Sequence, residues 1–154
     1  IESGSYAAET IRYLVERGIP VMSHVGLRPQ SHHVLGGFRA RGRRESVANE
    51  ILENAKAAAE AGSFAVVVEG VSKEIADKVT EAVSIPTIGI GASADCDGQI
   101  LVTPDMLGQF DRVPKFVHKF ADQKALVEKA ASDYAANVKD RSFPRAENVY
   151  HFKK

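Results

Sequence analysis

Tryptophan is absent from the 154 residues, and cysteine occurs once, as Cys96. A lone cysteine excludes an internal disulfide, and without a cysteine pair the thiolate-rich kind of structural zinc site is excluded as well. A soluble protein of a reducing compartment, the cytoplasm, is the expectation. No stretch approaches the ~18 consecutive apolar residues of a membrane span, so no membrane partner is expected. An excess of either charge is also missing: 20 Lys and Arg balance 20 Asp and Glu. A chain without net charge exerts no bulk attraction on nucleic acid or anionic lipid, and either partner would need a local patch. The first residue is Ile1 rather than Met, and the chain is expected to be part of a longer protein.

What is present is an alternation of helical and strand-like segments. Ala8, Ile11, Leu14 and Val15 recur at helical spacing within residues 5–17, and Gly18 is placed to stop that helix. Ile19–Met22 opens a strand over about 20–24, with Pro20 tolerated at its start. Residues 26–44 hold no sustained period and read as a long irregular loop, a length usually tied to function or disorder. Val47, Ile51, Leu52, Ala55, Ala58 and Ala59 put a helix over 45–61, ended by Gly62. The uninterrupted run Phe64–Val68, closed by Glu69 and Gly70, predicts a parallel strand buried on both faces.

Ser72 is a candidate N-cap for a helix reaching Val83. A strand follows at 86–89, and a fourth strand, or a stub of one, at 99–102. Pro114 is expected to open a helical region containing Phe116, Val117 and Phe120, and residues 123–139 to form a last helix. Residues 1–154 are read as one domain. The class is α/β, and the strands 20–24, 64–69, 86–89 and 99–102 are expected to be neighbours in one parallel sheet. Periodicity alone leaves a (β/α)8 barrel and an open doubly wound sheet both standing, since a full barrel takes roughly 250 residues.

Glu69 is the strongest chemical candidate. It ends an apolar strand, where desolvation by neighbours raises a carboxyl group toward the range of a general base; the plainer reading is a strand-end Glu that reaches solvent. His24 ends the preceding strand and is a candidate for polarising a substrate oxygen, or a structural histidine. Glu2 stands where an apolar phrase meets Ser3-Gly4, a placement that suits an oxygen donor to Mg2+ as well as a solvated terminal residue. His32 and His33 have no third ligand at metal-binding spacing. The cluster Arg39, Arg41, Arg43 and Arg44 is accompanied by one aromatic, Phe38, which does not make a nucleic-acid surface. Gly89-Ile90-Gly91-Ala92 lets backbone approach a ligand closely but lacks the G-x-G-x-x-G spacing of a dinucleotide loop.

Six phrases, in order, resemble the ketopantoate hydroxymethyltransferase family. They are Ser23–Ser31, Gly36-Gly37-Phe38 with Gly42, Val66–Gly70, Ile85–Ala92, Cys96–Val102 and Pro114–Val117. The resemblance implies a (β/α)8 barrel of which this chain supplies about the second half, from the end of strand four through strand eight, plus C-terminal helices. It also implies Mg2+, 5,10-methylenetetrahydrofolate as co-substrate, 3-methyl-2-oxobutanoate as substrate, a large homo-oligomer and a missing N-terminal half carrying the other metal ligands. On that basis Glu69 matches the proton acceptor, Glu2 the metal-site glutamate and His24 a histidine near the substrate.

The resemblance further implies that a metal chelating the α-keto acid would act as a Lewis acid on the ketone, and that a Mg-stabilised enolate would attack the one-carbon unit to give 2-dehydropantoate, the first step toward pantothenate and coenzyme A. The 154 residues alone are expected to lack activity. Two positions depart from the family pattern: Ser93 where Gly is usual, and Pro104 where a His commonly precedes Asp105. Both bear on the loops after the last two strands and hence on pocket shape. The competing readings are a Mg-dependent barrel of the phosphoenolpyruvate mutase and isocitrate lyase kind, and an inactive fragment serving as an assembly module.

Overall fold

The computed structural model describes residues 1–2, 4–28 and 45–152. Most of the irregular 26–44 segment, with His32, His33, the arginine cluster and the phrases Pro29-Gln30-Ser31 and Gly36-Gly37-Phe38, lies outside the described residues, as does Ser3. The chain divides into two compact units, Ile1–Leu101 and Val102–Lys154.

In the first unit, a 3-10 turn at Ser5–Ala7 leads into α1 (Ala8–Val15), followed by β1 (Met22–Gly26), α2 (Glu45–Glu60), β2 (Ala65–Glu69), α3 (Lys73–Ala82), β3 (Thr87–Ile90) and β4 (Gly98–Gln99). The four strands form one sheet in the order β1-β2-β3-β4, and every pairing is parallel. The expected neighbour relations hold. β1 starts and ends two residues later than the pattern suggested, so His24 lies at the strand's middle, with Gly26 as its last residue. β4 is the stub: only Gly98 and Gln99 pair, opposite Ile88 and Gly89.

One face of the sheet makes the core. Val25, Val66 and Val68 are buried together with Ala48, Ile51 and Ala55 of α2 and Ile75, Ala76 and Val79 of α3. Alanine at 48, 55 and 76 keeps these helices close to the strands. A second cluster of Ala7, Ile11, Val21, Ala58 and Ala61 seats α1 against α2 and the chain entering β1. The other face carries Met22, His24, Val67 and Glu69, all half-buried. Burial of the 64–68 run on both faces is therefore corrected at Phe64, which precedes the strand and is 50% exposed, and at Val67, because α2 and α3 pack against Val66 and Val68 on the opposite side.

Ser72 occupies the N-cap position of α3 with extended backbone, yet its hydroxyl caps nothing; its carbonyl closes the first turn by accepting from Ile75 and Ala76. The connection from β3 to β4 spans only residues 91–97, although parallel strands ordinarily need a dozen or more connecting residues. Side chains compensate. The Asp97 carboxylate accepts from the backbone N–H of Thr87 at 2.8 Å and from its hydroxyl at 2.9 Å, tying the end of the loop to the start of β3. Gln99 donates to the Ser93 carbonyl at 2.7 Å, and its amide lies over Gly89, where a Cβ would come within 2.9 Å of the Gln99 amide oxygen.

The second unit holds α4 (Thr103–Met106) and α5 (Gln123–Lys139), then a 3-10 turn at Ala146–Asn148. The helix expected from Pro114 is absent. After Pro114 the chain makes one turn, with Val117 donating to Pro114, and Phe120 and the start of α5 bond back to α4 and the turn after it: Phe120 to Met106, Gln123 to Leu107 and Lys124 to Gly108. Lys119 holds the Phe110 and Asp111 carbonyls. α4 itself was overlooked in the sequence, although Pro104 and Asp105 in the first turn are favourable helix-start residues. α5 spans the expected residues, and Asp122 caps it by accepting from Ala125.

Ile51 is 3% exposed at the centre of the α2–sheet interface. Ile51→Ala in the whole protein is expected to cost about 2–5 kcal/mol of stability, read by denaturant unfolding. A loss below the range of ordinary surface substitutions would contradict this packing.

Candidate active site

The half-buried face of the sheet gathers the three chemical candidates from three adjacent chain segments. Residues 1–2 run alongside β1 as a further strand position. The Ile1 amino group donates to the Met22 carbonyl at 2.7 Å, and Glu2 forms a parallel bridge with His24. His24 is in register with Val67 and Gly26 with Glu69. Because side chains alternate with a period of two, His24 and Glu69 stand on one face. His24 Nε2 lies 2.9 Å from Glu69 Oε2, with side chains 15% and 16% exposed. The pair is thus shielded from bulk water without being sealed.

The backbone under Glu69 is held from both sides. The Leu27 N–H donates to the Glu69 carbonyl at 2.7 Å, and Gly70 donates to Ile90 at 2.9 Å. Gly26 makes the first contact possible. Its φ of +97° is a left-handed conformation, and a Cβ there would sit 2.2 Å from the Glu69 carbonyl oxygen and 2.7 Å from Val71 Cγ1. In the sequence, the signal for this role is a glycine within a strand-end phrase, where interior glycine often marks a close backbone approach.

The loop 91–97 forms a second polar group. The Ser93 hydroxyl donates to Asp77 of α3 and accepts from the Asp95 N–H, while Lys73 bonds both Asp77 and Asp95. Lys73, and after it the Ser93 hydroxyl, hold the Asp77 carboxyl below the usual carboxylate range. The Thr87 amide, and then its hydroxyl, do the same for Asp97. Ser93 is 4% exposed and faces α3 through this bond. Its departure from Gly therefore adds an anchor for the loop rather than a side chain on the open face. Cys96 is buried in the same helix-side core beside Thr80. Pro104 lies in the first turn of α4, within the second unit.

Among the described residues, no three His, Cys, Asp or Glu side chains cluster as a metal site. Glu2 by itself does not make one. The described residues thus do not fit a complete Mg2+ centre, and the remaining ligands would have to come from elsewhere in a longer protein.

The chain is α/β, and it brings a carboxylate and an imidazole together on adjacent strands of a parallel sheet, with the carboxylate at a strand's C-terminal end. The comparison with known families is specific. Residues 1–146 match the ketopantoate hydroxymethyltransferase family, and the chain belongs to it. It is 57% identical over 154 residues to the 3-methyl-2-oxobutanoate hydroxymethyltransferase of Hyphomonas neptunium, covering 100% of this chain and 56% of that protein. It is 56% identical to the protein of that name from Caulobacter vibrioides, with the same coverage. The one from Maricaulis maris is 53% identical over all of this chain and 55% of its own length. The chain thus spans little more than half the length of these curated relatives.

Asp77 and Asp97 both ionise more readily in the folded chain than in ordinary peptides. Their contribution is therefore complete above the unfolded carboxyl pKa of about 3.9 and is lost as pH falls through the lower folded values. Asp97→Asn is expected to lower stability at neutral pH and to flatten its decline below about pH 4, in denaturant titrations across pH. An unchanged acid limb would contradict the role of Asp97 as the clamp of the β3–β4 connection.

Proposed function

We propose that the protein of which this chain forms part transfers a hydroxymethyl group from 5,10-methylenetetrahydrofolate to 3-methyl-2-oxobutanoate, giving 2-dehydropantoate, with Glu69 as the proton acceptor. The observation that carries the reading is the His24–Glu69 pair at the C-terminal end of β2, within a chain that belongs to the family. The names of the relatives support the substrate and the transferred group. The four parallel strands, with residues 1–2 beside β1, are read as about half of a (β/α)8 barrel, which agrees with the share of the relatives that the chain spans. Mg2+ belongs to this reading, with Glu2 as its carboxylate from this chain.

The chemistry asked of the chain is removal of one proton. Glu69 takes the proton from C3 of the keto acid, the C–H electron pair moves into the C2–C3 bond, and the ketone oxygen takes the negative charge. Water opens the methylene bridge of the folate: both C–N bonds break, the two nitrogens take the protons of the water as tetrahydrofolate leaves, and the water oxygen stays on the one-carbon unit as its carbonyl oxygen. The nucleophilic carbon adds to that carbonyl carbon, and the proton held by Glu69 completes the hydroxymethyl group. Glu69 is suited to its part because the strand below it is fixed by backbone bonds on both sides and its carboxylate is held by His24. A positioned base of this kind contributes about 10²–10⁴-fold in rate.

In the whole protein, Glu69→Gln is expected to abolish exchange of the C3 proton of 3-methyl-2-oxobutanoate into deuterated water without folate, while substrate binding persists. The amide keeps the side chain's shape but cannot take the proton. Exchange at the wild-type rate would overturn the assignment of Glu69. Glu2→Gln is expected to raise the Mg2+ concentration needed for half-maximal activity, because it alters a carboxylate of the proposed metal site; an unchanged requirement would remove Glu2 from it.

A further inference from the structure

Given Glu69 as the base, the remaining question is what His24 does for it. The residues alone leave His24 as a candidate for polarising a substrate oxygen or as a structural histidine, and the family resemblance puts it near the substrate. In the structure its Nε2 lies 2.9 Å from Glu69 Oε2. A carboxylate is an acceptor only, so the ring nitrogen in this bond must carry the hydrogen and donate it. Among the described residues this is the only hydrogen bond to the Glu69 carboxylate, and none of them donates to Oε1.

We propose that His24 is a positioning residue for Glu69: by holding Oε2 it fixes the rotation of the carboxylate and leaves Oε1 as the atom that takes the C3 proton. The inference rests on the reading of Glu69 as base, but it assigns His24 a role exerted through Glu69 rather than on the substrate. Three features support it. His24 is at the middle of β1, where the ladder fixes its backbone, rather than on a mobile strand tip. Its backbone is flanked by Glu2 on one side and Val67 on the other. Both partners of the pair are mostly shielded, so their hydrogen bond is little diluted by competing water. The proton balance is simple. Oε1 becomes the O–H of a carboxylic acid when C3 loses its proton, Oε2 keeps its bond from the imidazole, and the acid proton exchanges with solvent before returning.

The test compares His24→Asn, His24→Gln and His24→Ala in the whole protein, with Glu69 intact. Glutamine can place an amide N–H near the position of the imidazole Nε2, whereas asparagine reaches only as far as Nδ1. Misplacement of a reacting group by about 1 Å costs on the order of 10²-fold. His24→Asn and His24→Ala are therefore expected to lose about that factor in the C3 exchange rate at saturating 3-methyl-2-oxobutanoate, with the substrate's dissociation constant unchanged, and His24→Gln to restore most of the rate. If His24→Ala fails to fold, the Asn and Gln pair, which both keep a polar amide at this position, decides the matter.

Weakened substrate binding with an unchanged saturated rate would overturn the proposal and return His24 to the substrate. Equal impairment in Asn and Gln would also overturn it, since a merely structural histidine gives no reason for Gln to rescue. A full exchange rate in Glu69→Gln would instead sink the reading of Glu69, and is read separately from the His24 variants.

Discussion

The close approach of two strands at one glycine governs the arrangement of the site. Gly26 lets the end of β1 come within hydrogen-bonding distance of the Glu69 carbonyl through Leu27, and any side chain at 26 would occupy the space of that carbonyl oxygen. With that contact made, the parallel register is set along the whole β1–β2 pair: Gly26 stands opposite Glu69 and His24 opposite Val67. The period of two then places imidazole and carboxylate on the same face, two residues apart along the pair. A shift of the register by one residue would send His24 to one face and Glu69 to the other. The chemistry is thus a consequence of backbone geometry, which the helices on the far face hold in place through Ile51, Val66, Val68 and Val79.

The same economy of backbone explains the short return from β3 to β4. A crossover helix ordinarily covers the sheet between parallel strands. Here a seven-residue span does the work, held by side chains: Asp97 on Thr87, and Ser93 within the Asp77–Lys73–Asp95 group. Fixed donors and a lysine stabilise the ionised forms of Asp77 and Asp97, so the connection is electrostatic where a helix would be hydrophobic. The connection is accordingly expected to weaken in acid.

Much of this was legible in the sequence, for identifiable reasons. Periodicity gave α2, α3 and α5 because each has enough turns for the apolar or alanine pattern to repeat, and the Val66–Val68 run marked β2 because nothing but a strand suits it. Glu69 and His24 were legible as polar residues interrupting apolar strands. Their partnership was not, because it depends on a register set by Gly26 across a separation of 45 residues in sequence. The burial of Val67 was overestimated because a run of valines does not say which face has helices upon it. The segment after Pro114 has apolar residues at helical spacing and so reads as a helix, while its backbone bonds to α4 and the turn after it leave no trace in that pattern. α4 escaped for the opposite reason, being one turn long and too short to show a period.

The central claim is that Glu69 Oε1 is the atom that receives the C3 proton, held there by the strand register and by His24. The most direct measurement is a crystal structure of the whole protein with 3-methyl-2-oxobutanoate bound, read for the distance from each carboxylate oxygen of Glu69 to C3. The account predicts Oε1 at about 3–3.5 Å from C3, the range of a near-attack geometry, with Oε2 still bonded to His24. A substrate whose C3 lies closer to another basic side chain, or a Glu69 turned away from it, would contradict the account.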